Sequence, residues 1–218
     1  MRRANTLGAT AHIAAERAYR AGASEYEIHM EFCRAIGQRE EELPYNNIVA
    51  FNRNAAVLHY QFLDRRPPAE TERHSLLIDA GAACNGYAAD ITRTYSYRDR
   101  EFAELVSRLD RTQQELCQAV GPGVDYKEIH MLAHRKLAGL LREADFISVS
   151  AEEAVASGLS SVFFPHGIGH LLGLQVHDVG GFMRDASGAL IEKPAGQPHL
   201  RLTRVLEPGF VVTIEPGI

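Results

Sequence analysis

Residues 76–95, LLIDAGAACNGYAADITRTY, place two carboxylates, Asp79 and Asp90, eleven residues apart in a segment patterned as a β-hairpin. Residues 75–80 and 87–96 are strand-like, and Asn85-Gly86 between them is a strong two-residue turn signal. A turn centred there sets Asp79 opposite Thr92 and diagonal to Asp90, which lies two residues before Thr92 and so on the same face. A one-step slide of the turn sets the two acids directly opposite. Either register brings two negative charges close together, which a shared proton or a cation relieves. Oxygen-rich pairs suit divalent metals, so a metal bridge is the first expectation. The other reading is a turn aspartate and a hydrogen-bonded strand-end aspartate.

A second cluster, FFPHGIGHLLGLQVHDVG, supplies His166, His170 and His177. Its glycines, Gly167, Gly169 and Gly173, argue against an ordinary amphipathic helix and for a backbone folded closely around something. A third element, VVTIEPG, ends an apolar strand on Glu215 just before a Pro-Gly turn. Taken singly, these are also compatible with a satisfied core histidine and a strand-terminal glutamate. Taken together, Asp, Asp, His and Glu form the inventory of a two-metal hydrolase.

With 218 residues, one sizeable domain is favoured over two small ones. A net charge of −5 and a pI near 6.1 leave no nucleic-acid footprint. Three cysteines, Cys33, Cys84 and Cys117, are widely spaced and lack a CxxC, which points away from a disulfide framework or zinc knot and fits a reducing cytosol. The basic start MRRANTLGATAHIAAERAYRAG is interrupted by Thr, His, Glu and Arg, so no signal-peptide core forms. No stretch approaches the roughly 18 apolar residues of a membrane helix. A cytoplasmic location without membrane or nucleic-acid partners is expected.

The order of elements suggests a repetition. Residues 4–21 are helix-like, and Ser24 with Glu27 forms a capping box opening a second helix to about Ile36. Strands are expected at 47–51, 56–61, 75–80 and 87–96. A helix over 101–120 stops at Gly121-Pro122-Gly123, and Asp125 with Glu128 caps another to about Arg142. Ser150 with Glu153 opens a short third helix before strands near 161–164, 174–178 and 210–215. On a two-half duplication, the strand ending at Glu215 lacks a partner equivalent to the one carrying Asp90. Residues 210–215 are then expected to be an unpaired apolar edge, and the chain a C-terminally incomplete single domain, with a homodimer among the states open to it.

Asp79, Asp90, His170 and Glu215, in the contexts LLIDAG, ADITRT, HGIGHLLGLQVHD and TIEPG, resemble four of the five metal ligands of the pita-bread metallopeptidases. Within that family, LPYNNIVAFNRNAAVLHY, CNGYAADITRTYS, FFPHGIGHLLGLQVHDVGGFM and EPGFVVTIEPGI resemble the bacterial Xaa-Pro dipeptidase (prolidase) group over essentially the whole chain. The resemblance implies an α+β pita-bread (creatinase/aminopeptidase-like) fold: a curved, mainly antiparallel sheet covered by helices. It also implies that a preceding domain and the fifth, bridging acidic ligand are not in this chain. Two divalent ions, commonly Mn2+, are implied. Asp79 and Asp90 would hold one, with Asp90 bridging, and His170 and Glu215 the other.

By the same resemblance Glu215 is a proton carrier, and His59 and His177 steady the oxyanion and contact substrate. His166 would hold the substrate carboxylate or else pack beside the Gly167 bend. The implied activity is hydrolysis of dipeptides ending in proline. Open alternatives are an aminopeptidase P acting on longer Xaa-Pro peptides, a catalytically impaired fragment or interaction module, and a side activity on phosphotriesters. His12, His29, His74, His130, His134 and His199 read as structural or surface residues. Arg65-Arg66 beside Pro67-Pro68 reads as a solvated loop, and residues 39–42 as an exposed turn. No GxGxxG, GxxxxGK[ST] or Gly-x-Ser-x-Gly occurs, which leaves nucleotide binding and serine hydrolysis unsupported.

Overall fold

The computed structural model describes residues 1–218, which group into two compact units: 1–106 with 172–176, and 107–171 with 177–218. No helix is long and apolar enough to cross a membrane.

The first unit opens with α1 (Arg2–Ala21) and α2 (Glu25–Ile36). Both helices end on a glycine in the left-handed region, Gly22 at φ 98° and Gly37 at φ 68°, which turns the chain so that cap N–H groups reach the last carbonyls. The expected capping box is present: Glu27 N–H donates to Ser24 Oγ at 3.2 Å, and Ser24 N–H donates to Glu27 Oε2 at 2.8 Å. On α1 the buried positions Ala4, Gly8, Ala11, Ala15 and Tyr19 recur every three or four residues.

Three strands follow, β1 (Ile48–Phe51), β2 (Ser75–Asp79) and, after an inserted hairpin, β5 (Thr92–Ser96). They pair antiparallel in the order β1-β2-β5. The hairpin strands, β3 (Ala83–Cys84) and β4 (Tyr87–Ala88), flank Asn85 at φ 52° and Gly86 at φ 80°. Positive φ at both central residues is what a type I′ turn requires. Alternation along β2 sends Leu76 and Ile78 into a core with Tyr19, Ile28, Phe32, Val49 and Phe51. It leaves Leu77 and Asp79 on the other face. Full burial of each large side chain contributes about 1.5–3 kcal/mol, against about 0–1 kcal/mol for an exposed ion pair such as Arg20–Glu16. Apolar packing, rather than surface charge, therefore sets where Asp79 stands.

The second unit holds the end of α3 (Arg100–Ala119), from Ser107 on, then α4 (Tyr126–Glu143), α5 (Ala151–Ala156) and α6 (Ser160–Phe163). Its core joins Leu116, Tyr126, Ile129, Leu137, Phe164, Ile168, Leu200 and Leu202. Ser150 caps α5 by accepting from Glu153 N–H, as expected. Asp125 caps α4 by accepting from Lys127 N–H at 2.9 Å, a simple cap rather than the expected box with Glu128.

Four expected strands are corrected. Residues 56–61 are not a strand: a 3-10 helix over Asn52–Ala56 and a turn replace it, because side-chain hydrogen bonds curl the segment. Residues 161–164 lie largely in the helical turn α6, where Phe164 N–H donates to Ser160 O at 2.9 Å. Residues 174–178 form bends, not a strand, with Gly173 N–H bonded to Gln175 O. Residues 210–215 are not an unpaired edge. They run beside 168–171, with Thr213 N–H on His170 O at 3.0 Å, Glu215 N–H on Ile168 O at 2.8 Å, and Leu171 bridged to Val212. Residues 87–96 divide into β4 and β5, and 39–42 include an exposed 3-10 turn over Glu40–Glu42.

Candidate functional site

In the first unit the sheet register places Asp79 opposite Thr92, the first of the two registers expected. Beside it, Ala80 N–H bonds Ile91 O at 3.1 Å and Ala89 N–H bonds Ala82 O at 2.8 Å, so pairing continues on both sides of Asp90. Both carboxylates meet one phenol. Tyr45 Oη lies 2.7 Å from Asp79 Oδ1 and 3.0 Å from Asp90 Oδ1. Burial, reinforced by the charges of Asp79 and Asp90, pushes the Tyr45 phenol well above its ordinary pKa, so it stays protonated. One hydroxyl proton serves one acceptor at a time, and two acids gathered around it are an arrangement that a cation stabilises.

The close approach depends on Gly81. A Cβ there would stand 2.2 Å from Ala89 O and 2.6 Å from the Tyr45 ring. From α1, His12 Nε2–H donates to Ala80 O at 3.0 Å and so fixes the residue next to Asp79. Burial lowers the His12 pKa to about 4, leaving a neutral ring that makes this bond without adding charge. Tyr45 is the functional residue missed from the sequence. It sits in the quoted LPYNN segment, in a loop without periodicity, and only the fold brings it to the acids. Tyr45→Phe keeps the ring and removes the proton. Manganese affinity is expected to fall about 10- to 100-fold in calorimetric titration, and an unchanged affinity would detach the phenol from the metal ligands.

In the second unit, His170 and Glu215 stand on the two paired segments 168–171 and 212–215. His170 N–H donates to Thr213 Oγ1 at 3.0 Å, and Tyr126 Oη–H donates to Thr213 O at 2.7 Å. Burial, with the nearby charge of Glu215, raises the Tyr126 pKa well above normal and keeps that donor protonated. His170 is buried, and its Nδ1 lies 2.9 Å from Leu171 O. A carbonyl only accepts, so Nδ1 carries a proton and Nε2 is the ring nitrogen turned outward. That nitrogen faces Glu215 Oε1 at 3.1 Å. The carboxylate oxygen is buried and accepts no hydrogen bond, so the approach is an ion-pair distance without hydrogen-bond geometry.

An imidazole nitrogen and a carboxylate oxygen this close are stabilised by a proton or a cation between them. An imidazole nitrogen and a carboxylate oxygen are ligands a divalent ion accepts, and a backbone carbonyl on the far ring nitrogen is a common orienting partner for such a histidine. The donor sets in both units thus fit divalent metal.

The remaining predicted residues fall as follows. His177 is exposed, with its ring edge-on to His170 at 4.4 Å between centroids. His166 donates from Nδ1 to Gly167 O at 2.9 Å, packs edge-on against Phe164 at 4.7 Å, and lies beside Gly217, where an added Cβ would stand 3.1 Å from Nε2. In the first unit, His59 is exposed on the turn after the 3-10 helix. His130 and His134 are fully buried, and both ring Nε2 atoms bond Gln197 Oε1, at 2.9 and 3.1 Å, which makes them structural. His29 is likewise buried and bonds Glu40 at 2.8 Å. The exposed Arg65 guanidinium stacks over Tyr26 at 4.5 Å.

The sequence profile of metallopeptidase family M24 matches residues 1–218. The chain belongs to this family. It is 57% identical over its whole length to a Stenotrophomonas maltophilia protein named Xaa-Pro dipeptidase, and 50% identical to one of the same name from Aeromonas hydrophila. It covers 49% and 50% of those two proteins, so this M24 chain spans about half the length of the curated relatives it matches. Among solved structures, zinc-substituted E. coli aminopeptidase P in complex with product aligns with a TM-score of 0.81 at 29% identity, over 98% of this chain and 45% of that one. The M24 chain has the α+β pita-bread fold of aminopeptidase P, with helices and antiparallel sheet.

Proposed function

We propose that this chain is a catalytic domain of an Xaa-Pro dipeptidase, using two divalent ions, with manganese as the working metal. One observation carries the metal chemistry: the buried, unbonded Glu215 Oε1 facing His170 Nε2 at 3.1 Å. The choice of Xaa-Pro substrates is supported by the relatives of that name at 50–57% identity. Asp79 and Asp90 would hold one ion, with Asp90 shared, and His170 and Glu215 the other. When bound, such ions act as Lewis acids and lower the pKa of a coordinated water towards neutrality.

The chain's own groups supply the rest. Glu215 takes a proton from the water that attacks the scissile carbonyl and returns it to the leaving nitrogen as the C–N bond breaks. His59 and His177 donate to the oxyanion that develops on that carbonyl, and His177 with His166 holds the peptide, His166 through the terminal carboxylate. An Xaa-Pro bond is a tertiary amide with no N–H, so histidine and metal contacts, which need no substrate amide proton, suit it.

A second reading, aminopeptidase P acting on longer peptides, is favoured by the structural likeness to that enzyme. Manganese-dependent hydrolysis of Gly-Pro, beside Gly-Leu and Xaa-Pro-Yaa peptides and with a chelator control, separates the two. Cleavage confined to Gly-Pro, and abolished by chelation, is the expected result. Preference for the longer peptides would select the second reading, and chelator-resistant cleavage would sink both.

A further inference from the structure

Glu25, the first residue of α2, is a fully buried carboxylate in the first unit. Both of its oxygens are saturated by donors from one stretch of chain. Oε1 accepts from Phe51 N–H at 2.8 Å and from Asn54 Nδ2 at 2.9 Å. Oε2 accepts from Tyr60 Oη at 2.8 Å and from Asp64 N–H at 2.8 Å. Asn54 Nδ2 also donates to Tyr60 Oη at 3.0 Å, closing the ring of contacts. Four donors and no competing acceptor define a site for a carboxylate and nothing else, since an ionised carboxyl is acceptor-only. Burying a carboxyl group is tolerated here because its lone-pair directions are met.

The clamped stretch is 51–64, and His59 lies within it, one residue before a clamp point. Beside His59, Val57, Leu58 and Phe62 are exposed, Tyr60 packs with Ile48 and Ala50, and the segment is a turn rather than a strand, closed by Tyr60 N–H on Val57 O at 3.1 Å. A loop without ladder bonds takes its shape from side-chain contacts. The Glu25 carboxylate is the one group touching the loop at its start, its middle and its end.

We propose that Glu25 is a positioning residue: through its four hydrogen bonds it sets the 51–64 loop and thereby the place of the His59 imidazole. This rests on the reading of His59 as an oxyanion donor. Glu25→Gln is the discriminating change. It keeps size and replaces one acceptor oxygen by an NH2, which sets donors against donors on that side.

The test is a double-mutant cycle on kcat for Gly-Pro hydrolysis, combining E25Q with His59→Ala, with amide hydrogen exchange of Phe51 and Asp64 read in parallel. His59→Ala is expected to lower kcat on the order of a hundredfold, as for loss of one oxyanion donor. E25Q is expected to lower it about tenfold or more with KM little changed, and to speed exchange at the amides of Phe51 and Asp64. On the H59A background E25Q should cost nothing further. Full additivity of the two losses, or unchanged kcat in an E25Q protein whose loop amides exchange faster, overturns the proposal alone. A fully active H59A protein overturns the reading of His59, and the proposal with it. A merely structural role would lower thermal stability while leaving the cycle additive.

Discussion

His170→Ala is expected to remove the proposed Xaa-Pro hydrolysis while leaving the protein folded. A Lewis-acidic ion contributes several kcal/mol to the transition state, and each 1.4 kcal/mol or so is tenfold in rate, so losing one ion should lower kcat/KM on the order of a thousandfold or more. The structural cost is smaller, because the bonds that pair 168–171 with 212–215 run through the His170 backbone, N–H to Thr213 Oγ1 and O from Thr213 N–H, which alanine keeps. Asp79→Ala should behave alike, because the core side chains of β2 are Leu76 and Ile78, and Asp79 points from the other face. The measurements are kcat/KM for Gly-Pro and manganese bound per chain, beside a denaturant midpoint. His74→Ala, at an exposed position, serves as the control with both values unchanged. Normal turnover with normal metal content in His170→Ala or Asp79→Ala would end the ligand assignment.

Asp79 and Asp90 were legible in the sequence for a specific reason. An Asn-Gly turn, period-two alternation and the equal arms of a hairpin fix a register locally, and the observed pairing of Asp79 with Thr92 is the one those signals select. The capping residues Ser24 and Ser150 were legible likewise, since an N-cap depends on residues within one turn. Non-local partners were not. The curled segment after Phe51 reads as a strand because Val57, Leu58 and Tyr60 have strand-like character. Its shape is decided instead by a carboxylate some 26 to 39 residues earlier in the chain, Glu25. Residues 210–215 read as an unpaired edge because their partner, 168–171, is a glycine-broken stretch with no strand pattern of its own. Tyr45 escaped for both reasons: it lies in a loop, and its partners are 34 and 45 residues away.

Gly169→Ala is expected to disable the second unit's proposed ligand pair, His170 and Glu215, without touching either side chain. The residue sits between Ile168 and His170 at φ 153°, and a Cβ there would stand 2.2 Å from Thr213 O, 2.5 Å from Tyr126 Oη and 2.7 Å from Thr213 Oγ1. None of these can withdraw cheaply. Thr213 O is backbone and accepts from Tyr126, while Thr213 Oγ1 accepts from His170 N–H. The methyl group can be housed only if the 212–215 segment moves away, and Glu215, two residues on from Thr213, moves with it at the expense of its N–H bond to Ile168 O. Overpacking of this kind costs about 1–3 kcal/mol and more when backbone must shift, so a loss of about 3 kcal/mol is expected by denaturant unfolding. The change in the His170–Glu215 separation should lower bound manganese and kcat/KM together, nearly as far as His170→Ala does. Gly139→Ala is the matched control. It lies inside α4 with no atom within 4 Å of the added Cβ, and should be neutral or stabilising by up to about 1 kcal/mol. If Gly169→Ala binds manganese and turns over like the unaltered chain, the close packing of 168–171 on 212–215 is not what holds the ligands.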